Sequence, residues 1–419
     1  MGLLALSKFA ILPLLAAMLV CPTTALGSNQ CPWHPSGPLG ILEQCRVAYD
    51  PRTPSASSDW GPWTHKPVCV GPKAGKGTAL CAFVKEDFRG EAGLLVVTSP
   101  EIAAADHSFV QDFDPRWLGY ERQAARSDDG APPFEVREVP GKKGLGAVAN
   151  ATIRAGDVVL REYPVLLHLA EVSEPVERMQ ALWVLEEGFI RLPIKDQRRV
   201  FDLSRSTGGH VLEDIIRTNT FGATFNNVGH FGLFPRVARI NHACKPNAIT
   251  RFSPRTLELE VVAYKDIQPG EELSISYSML NMLYDDRKRT LREWGFACAC
   301  ALCSSPTAVA ASDARLARLQ AILAALEETD PAASLVAKLT DELEDVAARE
   351  GLAAQAGELY GMVARAYARA GEVGAARRYA AMAVEGLERF AGHDDDRTAR
   401  ARDLLGELGR QVGDGRWHE

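Results

Sequence analysis

The sequence predicts an α+β fold in which a mostly β core is interrupted by a helical insertion and followed by an α-helical tail. Three observations predict it. Short runs with period-two alternation recur between residues 134 and 262, the spacing turns helical between about Glu174 and Thr220, and beyond Ser304 the chain is rich in Ala, Leu, Glu and Arg at helical spacing. The 419 residues are 46% hydrophobic, which supplies enough apolar material for a large core and for two or three units.

From the start of the chain, one basic residue (Lys8) precedes an apolar run from Phe9 to Val20 and then the small residues of Thr24-Ala25-Leu26-Gly27. This pattern predicts a secretory signal peptide over residues 1–27, with a retained signal anchor as the other reading. Residues 28–133 read as an N-terminal extension of low regularity, rich in Pro, Gly and Trp (Trp33, Trp60, Trp63, Trp117). One β-like run stands out there, Gly93 to Thr98, closed by Ser99-Pro100. Cys31, Cys45, Cys69 and Cys81 are even in number and follow the leader, so two disulfides are expected, with three connectivities open. The polar, breaker-rich stretch Arg126 to Pro133 marks a linker.

The core then follows, with strand patterns at Phe134–Val139, Asp157–Glu162 after the turn at Ala155-Gly156, and Leu257–Val262. Met179, Leu182, Trp183 and Leu185 give the insertion its helical period. In the tail, Asp330-Pro331, Gly351, Gly371 and Gly392 break the pattern into three to five helices. The segment Leu359 to Gly392, with Ala366, Tyr367, Ala375, Tyr379, Ala380 and Ala383, has the layout of a tetratricopeptide-like hairpin.

The net charge is −7, with 47 basic against 54 acidic side chains and no long run of Lys and Arg. A phosphate-backbone binder needs a basic face, so direct nucleic-acid binding is not expected.

Three motifs fall in one order: Asn241-His242-Ala243-Cys244-Lys245-Pro246-Asn247, Gly270-Glu271-Glu272-Leu273-Ser274-Ile275-Ser276-Tyr277, and Cys298-Ala299-Cys300-Ala301-Leu302-Cys303. Before them Lys143-Gly144-Leu145-Gly146 sits between two strands, where glycine permits a tight turn and a close backbone approach. Together these resemble the SET-domain family of protein lysine methyltransferases, most of all its SMYD-type branch. The resemblance covers roughly Val136 to Ser304 well and the helical tail loosely.

The resemblance implies a domain order: a SET domain with its helical insertion and post-SET cap over residues 134–304, then a helical C-terminal domain over 305–419. It implies S-adenosyl-L-methionine as the methyl donor, touched by Lys143, Gly144, Leu145, Gly146, Asn219, Asn241, His242, Tyr277 and Phe296. Tyr277 is the expected catalytic residue. A substrate lysine has an ordinary pKa near 10.4 and must lose its proton before attacking the methyl, which a desolvating channel beside a cationic cofactor favours without a strong base. Four thiolates from Cys244, Cys298, Cys300 and Cys303 suit a closed structural Zn2+ site; two disulfides are the competing reading.

Two departures stand out. Ala238 and Ala243 occupy places where the family often has serine, and no Cys/His cluster of the MYND type lies in the insertion. The expected partner is a protein or peptide lysine, with no membrane contact once the leader is cleaved and a monomeric state. The leader points to the secretory pathway, or to nucleus and cytoplasm if it is not used. Beside the methyltransferase stand an inactive SET scaffold binding proteins in a secreted or luminal setting, and an enzyme acting on small molecules or non-histone proteins.

Overall fold

The computed structural model describes residues 60–71, 78–90, 92–105, 118, 120, 123–128, 130–139, 144–171, 176–328 and 331–413, the last three of these for their backbone alone. The leader, Cys31, Cys45 and Lys143 lie outside the described residues.

The expected α+β architecture is observed. Strands β1 (Val68–Val70), β2 (Leu80–Phe88) and β3 (Ala92–Thr98) are followed by a short helix α1 (Pro100–Ala105). Then come β4 (Phe134–Glu138), β5 (Leu145–Ala149), β6 (Val158–Glu162) and β7 (Leu166–Leu169). The insertion forms α2 (Arg178–Phe189), α3 (Ile194–Phe201) and α4 (Val211–Asn219). The core continues with β8 (Thr220–Phe225), β9 (Val228–Leu233), β10 (Asn241–His242), β11 (Ala248–Phe252), β12 (Leu259–Ala263), β13 (Ser274–Ile275) and α5 (Tyr284–Glu293). The tail is α6 (Pro306–Leu326), α7 (Ala333–Glu350), α8 (Ala356–Arg369), α9 (Val373–Phe390) and α10 (Asp396–Gly413).

Within residues 68–98 the run expected to be β-like, Gly93 to Thr98, lies in strand β3, and the expectation of low regularity fails for β1 and β2. The three strands form half of a six-stranded sheet ordered β1-β2-β3-β7-β9-β8, joined to the following core by the parallel pairing of Leu95 with Leu166 and Val97 with His168. The physical reason is period-two burial on both faces. Leu80, Ala82, Val84, Leu95 and Val97 pack under Leu185 and Phe189 of α2, while Cys81, Phe83, Leu94 and Val96 pack with Trp63 and Phe225 on the opposite face. A strand buried on both sides reads as a continuous apolar run and loses its alternation in sequence. Cys69 and Cys81, paired in register across β1 and β2, form a disulfide.

Smaller sheets carry the rest of the core: the β4-β5 hairpin, β11-β12-β6, and the short parallel pair β10-β13. Strand β12 begins later than its alternation suggests because Leu257 takes a left-handed conformation (φ 61°), closing a turn in which its amide donates to the Ser253 carbonyl. Ile153, Leu160, Phe234, Ile240, Val261, Ile267 and Leu273 fill the interior between these sheets.

Tail helices end near the expected breaks. Gly351 closes α7 in the left-handed conformation, with φ 70° and ψ 39°, where a Cβ would be strained. Helices α8 and α9 form a hairpin in which Tyr367 and Tyr379 stack, with ring centroids 5.6 Å apart. Leu319, Ile322, Val336, Leu343, Val363 and Ala380 build a core of their own around it.

Candidate functional site

The Asn241 segment is set in place from behind by a buried acid. Glu162, at the end of β6, accepts hydrogen bonds from the Arg236 and Val237 amides, each at 2.8–3.0 Å, and pairs with Arg199 Nη2 at 2.5 Å. Burial pushes its carboxyl up, against the pull of Arg199 and the two amides. These bonds satisfy the open end of the single helical turn Val237–Arg239, which delivers the chain to Asn241.

Strand β10 then lies parallel to β13, with Asn241 opposite Ser274 and His242 opposite Ile275. The two chain segments are laced by side chains. Asn241 Nδ2 donates to Glu272 Oε1 at 2.9 Å and to the Leu145 carbonyl at 3.1 Å. Asn247 Oδ1 accepts from the Ser274 amide at 2.8 Å, and its Nδ2 donates to the Glu272 carbonyl at 2.9 Å. His242 Nδ1 accepts from the Tyr277 amide at 3.0 Å, and its Nε2 lies 3.3 Å from Cys244 Sγ. The neutral tautomer with the proton on Nε2 satisfies both contacts.

Gly144 and Gly146 differ in what they do. Gly144 has φ 94° and open space where a Cβ would stand, whereas a Cβ on Gly146 would meet Asn241 Nδ2 at 2.6 Å, Val139 Cγ2 at 2.7 Å and Glu272 Oε1 at 2.8 Å. The second glycine therefore lets the hairpin close onto Asn241, and only the first leaves room for something outside the protein. Leu145, between them, is 42% exposed beside that open space.

Tyr277 sits among aromatic rings: His242 at 5.4 Å, Trp294 at 5.3 Å and Phe296 at 6.1 Å between centroids. Its hydroxyl donates to the Ile240 carbonyl at 2.9 Å. Burial, with the charge of Glu272 as a second cause, raises its pKa well above the ordinary tyrosine value, so the phenol stays protonated at neutral pH.

Behind this cluster the four free cysteines converge, and among the described residues Cys244, Cys298, Cys300 and Cys303 are the one group of three or more Cys, His, Asp or Glu with metal-ligating atoms within 4.8 Å of one another. Cys244 Sγ lies 3.8 Å from Cys298 Sγ and 3.4 Å from Cys303 Sγ. A tetrahedral Zn2+ with bonds of about 2.3 Å needs sulfur–sulfur edges of about 3.8 Å, so the donor set fits that ion. The thiols are mutually dependent: a hydrogen bond from Cys244 holds Cys300 down, while the hydrogen bond with Cys298 pushes Cys244 up. Leu291 and Leu302 pack with the buried Cys244, and the partly buried Cys298, Cys300 and Cys303 lie against them.

Gly144, Leu145, Gly146, Asn241, His242, Tyr277 and Phe296 are thus brought into one continuous region with the four cysteines behind it. Asn219 is placed at the end of α4, where its amide nitrogen donates to the Ser204 and Ile215 carbonyls, each at 2.8 Å, so that donor is spent on capping backbone. Sequence reasoning passed over Glu272 and Asn247 as site residues. Their signal was their place inside the motifs: an acid in a Gly-Glu-Glu turn, which takes the Asn241 side-chain amide, and an Asn after Pro246, which bonds the backbone of Glu272 and Ser274.

No helix among the described residues is long and apolar enough to cross a membrane. Residues 144–278 match the SET domain family. Among curated relatives, "Histone-lysine N-methyltransferase set5" of Schizosaccharomyces pombe is 29% identical over 41% of this chain and 50% of its own length. "N-lysine methyltransferase SMYD2-B" of Danio rerio is 37% identical over 22% of this chain and 21% of its own length. "Histone-lysine N-methyltransferase SMYD3" of Homo sapiens is 31% identical over 31% of this chain and 30% of its own length. The chain spans half or less of the length of these relatives. The Gly-x-Gly turn, the Asn-His segment, β13 and Tyr277 all fall inside the matched residues, so this part of the chain is similar to the SET domain of SMYD-type proteins.

Proposed function

We propose that this chain is a protein-lysine N-methyltransferase that uses S-adenosyl-L-methionine. The observation that carries the reading is the open space at Gly144 beside the exposed Leu145, whose carbonyl is bonded by Asn241, together with the cluster of the neighbouring His242 with the Tyr277 and Phe296 rings. The bound cofactor supplies a methyl group on a positively charged sulfur. The backbone around Gly144 and the Asn241–His242 segment would hold its polar parts, and Phe296 would cover its adenine. Lys143 belongs to the same proposal by its place in the motif, and Asn219 only through its backbone and remaining oxygen.

Tyr277 has no part as a base, because its hydroxyl stays protonated and is already aimed at the Ile240 carbonyl. Its oxygen keeps lone pairs that can accept from the substrate amine and turn the nitrogen lone pair toward the methyl. The surrounding rings exclude water and favour the uncharged amine, whose proton leaves to solvent. The rate then comes from alignment of an in-line attack. Zn2+ on the four cysteines would fix the cap carrying Phe296 against the loop carrying His242, and the His242 Nε2 proton facing Cys244 is a supporting contact of the kind that orients metal ligands.

The test is transfer of a radiolabelled methyl group from S-adenosylmethionine to core histones and to an arrayed set of lysine peptides. Label is expected with the wild-type chain and a loss of about a hundredfold with Tyr277→Phe, the size expected when a reacting group is misaligned. Equal background from both proteins overturns the enzymatic reading in favour of an inactive scaffold.

A further inference from the structure

Lys245 stands in the Asn241–Asn247 loop between Cys244 and Pro246, whose carbonyl is already held by the Tyr264 hydroxyl at 2.7 Å and by Lys265 Nζ at 3.1 Å. Its own ammonium points away from the core and toward the tail. Lys245 Nζ donates to the Arg349 carbonyl at 3.1 Å and lies 3.3 Å from Glu350 Oε2. Glu350 is the last residue of α7, and its side chain is 3% exposed. It also accepts from Ser312 Oγ at 2.6 Å and from Arg315 Nε at 2.5 Å, both on α6.

A carboxylate at a helix C-terminus faces the negative end of the helix dipole, and a buried one needs cations and donors around it. Arg315 and Ser312 supply part of that need from within the tail. The rest comes from Lys245, a residue of the SET core, which also meets a carbonyl at the helix end. Helix α6 begins three residues after Cys303 and is capped by Ser305 accepting from the Ala308 amide. The contacts therefore close on themselves: Cys303 leads into α6, α6 and α7 hold Glu350, Glu350 holds Lys245, and Lys245 is bonded to Cys244, whose sulfur is 3.4 Å from that of Cys303.

We infer that Lys245, through Glu350, is a positioning residue: the link fixes the Asn241–Asn247 loop against the helical tail and so keeps Asn241 and His242 in register with residues 272–277. A closed ring of contacts leaves less independent motion than an open one, and opening it at Lys245 frees the loop while leaving Glu350 its bonds to Ser312 and Arg315. The link stands on geometry alone; its consequence for cofactor affinity rests on the function proposed above.

Hydrogen exchange on the full chain tests it, comparing wild type with Lys245→Met and Lys245→Arg. In the Met variant the amides of Ala243, Asn247 and Tyr277, bonded to the Ile275 carbonyl, the Ser274 carbonyl and His242 Nδ1, should exchange about tenfold faster through local opening. Helices α8 and α9 should be unchanged, and Lys245→Arg should restore most of the protection. Affinity for S-adenosylhomocysteine should weaken about tenfold in the Met variant, since a loosened loop must be reordered on binding. Unchanged exchange at these amides, or exchange raised equally through α8 and α9, overturns the link. Local exchange without loss of affinity overturns its positioning role. Faster local exchange in the Met variant, with no binding of S-adenosylhomocysteine by the wild-type chain, removes the cofactor reading and leaves the link standing.

Discussion

Asn241 bonds the hairpin through the Leu145 carbonyl and the Gly-Glu-Glu turn through Glu272, and its neighbour His242 bonds Tyr277 on one ring nitrogen and approaches Cys244 with the other. Each of the two residues joins a different pair of segments. A second histidine shows what an ordinary core position does to the same side chain. His230, 1% exposed, donates from Nδ1 to the Val228 carbonyl and accepts at Nε2 from Thr98. Burial, with His168 nearby as a further cause, pushes its pKa from 6.5 to about 4. Below pH 6.5 the unfolded chain binds a proton that the folded chain refuses, so stability is full above that pH and falls as the pH drops toward about 4. His230→Gln should therefore lose up to about 1.4 kcal/mol per pH unit of acid-limb slope relative to wild type in denaturant unfolding between pH 6.5 and 4. Parallel slopes for the two proteins would refute this account of His230. Of these residue-scale facts, the identities at 241, 242, 277 and 296 were legible because the motifs name them. Glu272 and Asn247 were not singled out, because hydrogen bonds between segments 25 to 31 residues apart leave no periodic trace.

At the scale of elements, the strands at Phe134 to Glu138 and Leu259 to Ala263 were read from alternation, although in the first only Phe134 is buried. Those buried on both faces, β2 and β3, show no alternation; β3 was still legible as the β-like apolar run Gly93 to Thr98, whereas β2 was read into the irregular extension. Tail helices were legible because Gly351 and the other breakers stop a strong period. The cap is the element whose chemistry was left with two readings, thiolate metal site or disulfides. The structure pairs Cys69 with Cys81 and leaves the four later cysteines reduced and converging. Natively purified protein should accordingly carry about one equivalent of zinc, as structural four-thiolate sites do. Cys303→Ser should lose most of it and expose the Leu291 and Leu302 cluster to dye binding. Zinc-free native protein with Cys244 oxidised to a neighbouring cysteine would contradict the metal site.

Across the whole molecule, the SET core and the tail meet at several places among the described residues, including the Tyr284 amide on Asp313 and the Tyr264 ring on Phe390. The Cys298 to Cys303 segment runs straight into α6, Lys245 reaches Glu350, Arg251 donates to the Glu388 and Arg389 carbonyls, and Ser253 Oγ bonds Asp394 at 2.6 Å. The order of these parts along the chain was legible from composition and breakers, whereas their docking was not, since it depends on single charged side chains meeting helix ends far away in sequence. The tail is thus attached to the loop that carries Asn241 and His242, the loop proposed above as one wall of a cofactor site. Calorimetric titration of the purified chain with S-adenosylhomocysteine tests this most directly. Saturable binding near one equivalent, weakened at least tenfold by Asn241→Ala because that change cuts the link between the Gly144–Gly146 turn and Glu272, is the predicted result. Absence of binding by the folded wild-type chain would contradict it.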